Sequence, residues 1–215
     1  MVLLQNYCPV WGKIEVCCDT ASCYHYPTCC QIPTEVFRYS TNDNVNLLFV
    51  GQGGGAEEEK SRIPFIGDAG QRLRSIIEWI LNDGRKFSVA FSNSVRCRPV
   101  HPDLPKKKNR DPYKQEIDIC INYLIRDILL LKPSVVVPLG NSTTTALIAQ
   151  ASGKIGVDRK NVFAVDINGY HQTMIPTYHP SFLIRNGRNF DVNKPGEYDV
   201  KVRNDICNML SLVGL

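Results

Sequence analysis

Short apolar runs alternate with helical patterns along most of the chain after residue 45. Leu47 to Val50 are apolar residues in a row, which predict a buried strand leading into a glycine cluster. Apolar residues then recur at helical spacing from Leu73 to Leu81, and Gly84 predicts the end of that helix. Phe87 to Phe91 predicts the next strand.

The same alternation continues towards the C-terminus. A long helix is predicted by apolar residues that share one face, namely Ile117, Ile121, Leu124, Ile128 and Leu131, and Pro133 ends it. The remaining predicted elements are strands at 135–137, 162–166 and 174–177, a short helix at 143–150 and a C-terminal helix over 198–213. Strands that alternate with helices predict an α/β domain with a mainly parallel sheet, in which sites gather at the carboxyl ends of the strands.

Residues 1 to about 44 show no such periodicity and are rich in Cys, Tyr, Pro and Thr. We interpret them as an irregular segment that needs a ligand or the main domain to hold it in place. We therefore expect one domain over residues 1–215, with residues 1–44 clamped to it.

The composition is that of an ordinary soluble domain. The 215 residues are 43% hydrophobic and 21% charged, which excludes disorder, collagen and coiled coil. The net charge of +4 does not by itself predict nucleic-acid binding, so a polyanion would have to meet a local basic surface. No apolar run approaches the roughly 20 residues of a membrane helix, and Met1 to Leu4 is too short for a signal-peptide core. We expect an intracellular protein, in the cytoplasm or nucleoid, without a membrane partner.

Cysteine is the unusual residue type. The chain has nine, and six of them fall within the first thirty residues. An odd number in a domain-sized intracellular chain favours metal or redox chemistry over a secreted disulfide scaffold. No strict C-x-x-C pair is present, so spacing alone leaves an iron–sulfur site and a set of buried thiols equally open.

Two segments carry candidate chemistry. The loop Gly51 to Gly55 lets backbone amides approach a ligand closely, but it lacks the Lys of a P-loop, and a flexible turn is the alternative. Phe65 then lies between two tight turns, just before the first predicted helix. Further along, Thr177 to Ser181 follows a predicted strand.

These segments resemble known motifs. The stretch Leu47 to Leu73 resembles the first motif of the family 4 uracil-DNA glycosylases, the iron–sulfur branch of the superfamily, and His179-Pro180-Ser181 resembles the second. Segments 93–99, 116–120 and 131–140 are similar to the family's intervening motifs, in the same order. The resemblance implies a three-layer α/β/α sandwich with a short, mainly parallel central sheet. It also implies a monomeric enzyme of base excision repair that flips uracil out of DNA and hydrolyses its N-glycosidic bond, leaving an abasic site.

The resemblance assigns roles to individual side chains. Phe65 would stack on the flipped base, and Asn93 would pair with the O4 and N3–H edge of uracil. His179 would face uracil O2, where negative charge develops. Glu58 would orient or deprotonate the attacking water. Without the resemblance, the ordinary interpretation of Phe65 is core packing and that of Asn93 is a turn cap.

One departure bears on the reaction. Gln52 stands where the family usually has an acid, and an amide cannot act as a general base. Either Glu58 carries that role or activity is reduced. Gly53 and Gly55 remain candidates for contact with the base.

Contacts with DNA follow from the same resemblance. Ser181 and Arg185 are candidates near the second motif, and Lys107 lies in a long basic loop. Leu183 or Ile184 would wedge into the space left by the flipped base.

The family holds a [4Fe–4S] cluster with four thiolates. The resemblance assigns Cys97 and Cys120 to it, and the N-terminal pair is expected to be Cys23 and Cys30. Alternatives for that pair are Cys18, Cys29 and Cys17. We expect the cluster to be structural, because the reaction transfers no electron.

Two other functions stay open. A related branch of the superfamily crosslinks covalently to the abasic sugar through a loop histidine, and His101 lies in such a loop here. Alternatively, the chain is a non-catalytic DNA-binding or polymerase-associated module that lost its acid at position 52.

Overall fold

A computed structural model describes residues 7–8, 13–14, 32–37, 44–101, 108–187 and 191–215. The N-terminal cysteines from Cys17 to Cys30, and Lys107, lie outside the described residues. The strands are β1 (Tyr7–Cys8), β2 (Lys13–Ile14), β3 (Glu35–Phe37), β4 (Leu47–Gly53), β5 (Val89–Val95), β6 (Val135–Pro138), β7 (Phe163–Ile167) and β8 (Tyr170–Met174). The helices are α1 (Ala56–Ser61), α2 (Asp68–Asn82), α3 (Lys114–Leu131), α4 (Gly140–Leu147), α5 (Ile155–Asp158), α6 (Pro180–Asn186) and α7 (Glu197–Leu212).

The main sheet has six strands in the order β3-β5-β4-β6-β8-β7, and β1 and β2 form a separate antiparallel pair. The four inner strands β5, β4, β6 and β8 run parallel to one another. The edge strands β3 and β7 pair antiparallel. The prediction of a mainly parallel sheet is therefore confirmed.

Each face of the sheet carries its own apolar core, because successive side chains of a strand point to opposite faces. Leu47 and Phe49 of β4 belong to the core beneath α2, α6 and α7. Leu48 and Val50 of the same strand belong to the core that includes Leu124 of α3. Helices on both faces give the three-layer α/β/α sandwich that the resemblance implied.

The predicted elements are largely present, with some shifts. The helix predicted at 143–150 begins earlier, at Gly140, and the strand predicted at 174–177 is centred earlier, in β8. Beyond β8 the chain still runs beside β6, since Thr177 N–H donates to Pro138 O at 3.0 Å. Strands β1, β2 and β3 and helices α1, α5 and α6 were not predicted.

The order of the strands creates a crevice at the carboxyl end of β4. From β4 the chain passes through α2 on one face to reach β5, and then through α3 on the other face to reach β6 on the far side of β4. Such a switch point leaves the strand ends open between the two crossovers. None of the helices in the described ranges combines the length and apolar composition needed to cross a membrane.

Candidate active site

A cleft of about 630 Å³ opens at this switch point. The ends of β4 and β5, the start of α2 and the segments after β6 and β8 all contribute to its wall. The sequence-predicted residues that line it are Gln52, Gly53, Gly55, Glu58, Phe65, Asn93, His179, Ser181 and Arg185. The structure thus brings together side chains that lie up to 133 residues apart along the chain.

Phe65 and Asn93 meet beside Gly51. Asn93 is the register partner of Gly51 across β4 and β5, and it is buried. A Cβ on Gly51 would lie 2.5 Å from Asn93 Oδ1 and 2.7 Å from Phe65 Cζ, so only glycine fits between the amide and the ring. The Phe65 ring packs in turn on Phe91, with centroids 5.4 Å apart. An aromatic face and an amide therefore occupy the same corner of the cleft.

Glu58 is buried, and its carboxylate accepts backbone N–H groups with both oxygens. Oε1 accepts from Ile66 at 3.0 Å and from Gly67 at 2.8 Å, and Oε2 accepts from Gly55 at 3.0 Å. Helix α1 carries this carboxylate between the glycine loop and the turn after Phe65. Its neighbours differ, since Glu57 pairs with Lys60 and Glu59 pairs with Arg98.

Gln52 lines the cleft with a neutral side chain. Its backbone carbonyl accepts from Ser94 Oγ at 2.8 Å. Its side-chain Nε2 is buried and has no hydrogen-bond partner in the described part of the protein. The amide thus retains a donor for a group that enters the cleft.

His179 caps the N-terminus of α6 with its imidazole. Ser181 N–H donates to Nδ1 at 3.2 Å, and Ser181 Oγ lies 2.8 Å from the same nitrogen. Nδ1 is therefore an acceptor, and the neutral ring carries its proton on Nε2. Burial, together with the positive charge of Arg185, lowers the pKa of His179 to about 4. The ring is neutral at pH 7 and offers one N–H donor to the cleft.

Helix α6, which begins after His179, carries several of the expected DNA contacts, and only some of them lie in the cleft. Ser181 and Arg185 line the cleft, and Arg185 Nη1 donates to Ser181 Oγ at 3.3 Å. Leu183 is only 2% exposed and packs in the core with α2 and α7, so the prediction that it wedges into DNA is wrong. Ile184, the alternative wedge, is partly exposed. Lys107 cannot be placed, because it lies outside the described residues.

Cys97 and Cys120 lie close together at the end of β5 and on α3. Both are buried, and they pack with Val95 and Ile117 in a small core of their own. The described residues contain no group of three or more His, Cys, Asp or Glu side chains arranged to hold a metal. Cys207 lies elsewhere, partly buried against the core beneath α7.

Arg96, next to Cys97, has buried N–H groups that donate to no acceptor within the described residues. Its Nη2 pairs with Asp127, and both side chains are almost fully buried. Its Nε and Nη1 are buried too, and no acceptor within the described ranges reaches them. Buried donors of this kind suit a neighbouring anionic group.

Several cleft residues were missed by the sequence analysis. Asn141 and Ser142 line the cleft directly after β6, and their position beyond a predicted strand was the signal that could have found them. Asn109 and Arg110 also line it. They reach the cleft because Val100 and Asn109 form a β-bridge that folds the basic loop back on itself, a pairing that the sequence did not indicate.

Comparisons with known proteins agree with this geometry. The model of the Uracil DNA glycosylase superfamily matches residues 38–206. The type-4 uracil-DNA glycosylase of Saccharolobus solfataricus is 34% identical over 67% of this chain and 65% of its own length. The type-4 enzymes of Thermotoga maritima and Pyrobaculum aerophilum are 35% and 31% identical, over 69% and 66% of this chain and 71% and 69% of their own lengths. The chain thus spans about two thirds of the length of these relatives.

Proposed function

Because the chain belongs to the uracil-DNA glycosylase superfamily, we propose that it removes uracil from DNA by hydrolysing the N-glycosidic bond. The product is an abasic site, which other enzymes of base excision repair would process. One observation carries the proposal: an aromatic ring, a buried amide and a neutral imidazole line the same cleft at the carboxyl ends of the strands. These are the groups needed to hold a flipped base and to receive its charge.

Phe65 and Asn93 have different roles in recognising the flipped base: the ring binds its face and the amide binds its edge. Stacking on an aromatic ring stabilises a flipped base by about 1–3 kcal/mol and tolerates any base. The Asn93 amide offers both a donor and an acceptor, which match O4 and N3–H of uracil. Cytosine presents the opposite pattern on that edge, so the amide supplies the selectivity that the ring lacks.

His179 stabilises the departing base. As the bond between C1′ and N1 breaks, its electron pair stays with uracil, and negative charge spreads onto O2. The neutral His179 ring donates Nε2–H to that oxygen. Because the charge is larger in the transition state than in the bound substrate, this donor accelerates the chemical step.

Glu58 is the carboxylate available to the attacking water. Gln52 can donate a hydrogen bond to a group in the cleft but cannot accept a proton. Glu58 Oε2 accepts one backbone N–H, and a carboxylate oxygen has a second lone pair for the water. The water oxygen bonds to C1′ and its proton leaves through the carboxylate, so the sugar gains a hydroxyl group.

The cysteines next to Arg96 fit an iron–sulfur cluster. Cys97 and Cys120 supply two thiol groups from two elements, and the spare Arg96 donors suit the sulfur atoms of an anionic cluster. Cys23 and Cys30 would complete the set. Ile32, two residues after Cys30 in the sequence, donates its N–H to Arg96 O at 2.8 Å, so the chain joins the described fold beside Cys97. When bound, the cluster would serve as a crosslink that clamps residues 1–44 to a single domain.

Ser181, Arg185 and Lys107 are proposed to contact the DNA backbone, on which the protein would act as a monomer. Arg185 is exposed at the rim of the cleft. Contacts of this type provide affinity that does not depend on sequence and that falls with added salt.

The test is uracil release from single- and double-stranded DNA by iron-loaded protein, followed by alkaline cleavage. We expect strand scission at uracil with wild-type protein and a loss of about 100-fold or more in Asn93→Ala and His179→Ala. His171→Ala is the matched control, since His171 is an exposed residue of the β7–β8 hairpin and does not line the cleft. Uracil-DNA binding without base release would identify a non-catalytic module instead. A denaturant-stable adduct lost in His101→Ala would identify the crosslinking activity.

A further inference from the structure

The main chain at Phe65 has a conformation that residues with a side chain rarely adopt. Its φ is +56°, in the left-handed region. This turn aims the aromatic ring into the cleft beside Gly51. Since the conformation is intrinsically disfavoured, surrounding contacts have to hold it.

Contacts on the C-terminal side of the turn come from three residues. Glu58 Oε1 accepts the N–H groups of Ile66 and Gly67. Gln71 Nε2 donates to Ile66 O at 2.9 Å. Gly70 allows the turn to lie against α2, because a Cβ there would be 2.1 Å from the Phe65 carbonyl carbon.

Arg74 contacts the turn at Pro64 and Phe65 themselves. Its Nε donates to Phe65 O at 2.9 Å, and its Nη2 donates to Pro64 O at 3.0 Å. One planar guanidinium thus fixes two successive carbonyl groups, and a lysine ammonium could not reproduce that fork. Arg74 does not line the cleft.

The guanidinium is itself held on three sides. Its Nη2 pairs with Glu35 of β3 at 3.0 Å. Its central carbon lies 4.4 Å from the centroid of the Phe37 ring and 4.6 Å from that of Phe91. Phe91 is also the ring on which Phe65 packs. Arg74 therefore secures both the main chain of Phe65 and the surface beneath its ring.

We propose that Arg74 is a positioning residue that sets the Phe65 ring against the flipped base. The proposal rests on the proposed function for the role of Phe65 in stacking. Arg74 never touches the substrate, so its effect on uracil release passes entirely through Phe65.

A double-mutant cycle tests that dependence. We expect Arg74→Lys to lower kcat/KM for uracil release about tenfold, mainly through KM, because stacking is lost in the bound substrate as well as in the transition state. In a Phe65→Ala background the same change should alter kcat/KM less than twofold. A tenfold loss in both backgrounds would overturn the proposal, because it would mark Arg74 as a general stabiliser.

Glu35→Gln is the matched control. It removes the charge that pairs with Arg74 but leaves the fork to Pro64 and Phe65, so we expect kcat/KM within about twofold of wild type. A tenfold loss in this variant would place the effect in the ion pair and overturn the role of the fork.

Hydrogen exchange separates this proposal from the proposed function. The amides of Ile66 and Gly67 should exchange about tenfold faster in Arg74→Lys, and at the wild-type rate in Glu35→Gln. This result does not depend on catalysis. If wild-type protein released no uracil, the proposed function would fail while the exchange rates would still decide the role of Arg74. Unchanged exchange in Arg74→Lys would overturn it.

Discussion

The proposed role of His179 as a hydrogen-bond donor depends on an imidazole that is held neutral. An imidazolium would bring a positive charge into the cleft before the bond breaks, whereas a neutral Nε2–H interacts most strongly after charge has developed on the base. Burial and the nearby Arg185 both disfavour the imidazolium. Ser181 then fixes which nitrogen carries the proton. Ser181 and Arg185 thus hold the His179 ring in the neutral form, with its proton on Nε2, that the proposed role requires.

We predict that His179 takes up a proton only as the pH falls to about 4. Histidine in the unfolded chain titrates near 6.5, so between pH 6.5 and 4 the unfolded state binds more protons. The stability that this residue contributes is thus complete above pH 6.5 and is lost as the pH falls towards 4. NMR titration of the ring checks the value, and Arg185→Gln should raise the pKa. Protonation of His179 near 6.5 in the folded protein would contradict the prediction.

Helix α1 shows how a short element can organise a site. Its six residues place Glu58 where one carboxylate bonds to the glycine loop and to the turn after Phe65. The family resemblance singled out Glu58, but the residues by themselves indicated only an acidic run, and such a run usually lies on a solvated surface. Glu57 pairs with the exposed Lys60, and Glu59 pairs with Arg98, whereas Glu58 between them is buried and accepts backbone N–H groups. No local sequence pattern distinguishes these three glutamates.

Replacing Glu58 by Gln should lower the free energy of unfolding by about 1–3 kcal/mol. Both oxygens accept N–H groups, so the new amide NH₂ faces a backbone donor in either orientation. Urea denaturation measures the change. Glu57→Gln is the control, since Glu57 is exposed and its change should stay within about 0.5 kcal/mol. Equal stabilities of the two variants would contradict a stabilising role for the hydrogen bonds that Glu58 accepts from the glycine loop and from the turn after Phe65.

The longer elements could be predicted because their apolar residues repeat with a clear period. Helices α2, α3 and α7 and strands β4, β5 and β6 lie close to their predicted positions. Strand β7 also lies close to its predicted position, but β8 begins four residues before the strand predicted at 174–177. The tight turn that joins them was missed, although Asn168 and Gly169 both have positive φ and form a strong turn signal. Phe65, Asn93 and His179 were found through the family resemblance. Arg74 was not, because its role depends on contacts with β3 and β5 that the sequence does not reveal.

At the scale of the whole molecule, the cysteines divide by location. Cys97 and Cys120 lie together beside Arg96, where the chain that follows Cys30 joins the described fold. Cys207 packs against the opposite face of the sheet. A cluster at the first location would join the segment before β3 to β5 and α3.

We predict that Cys97→Ser and Cys120→Ser each lose most of the bound iron and lower the Tm, on the order of 10 °C. Removing the iron from wild-type protein with a chelator should lower the Tm similarly. Cys207→Ser should keep its iron and its Tm. Iron and sulfide content and thermal unfolding of anaerobically purified protein provide the measurement. Full iron content in Cys97→Ser would contradict the assignment.

The central claim is tested most directly by counting products from DNA that contains one uracil. Iron-loaded wild-type protein is incubated with this DNA, and free uracil and abasic sites are quantified in the same samples. We predict equal amounts of the two products, no release of cytosine, and almost no release by Asn93→Ala or His179→Ala. Iron-loaded wild-type protein that binds the DNA but yields neither uracil nor abasic sites would contradict the claim.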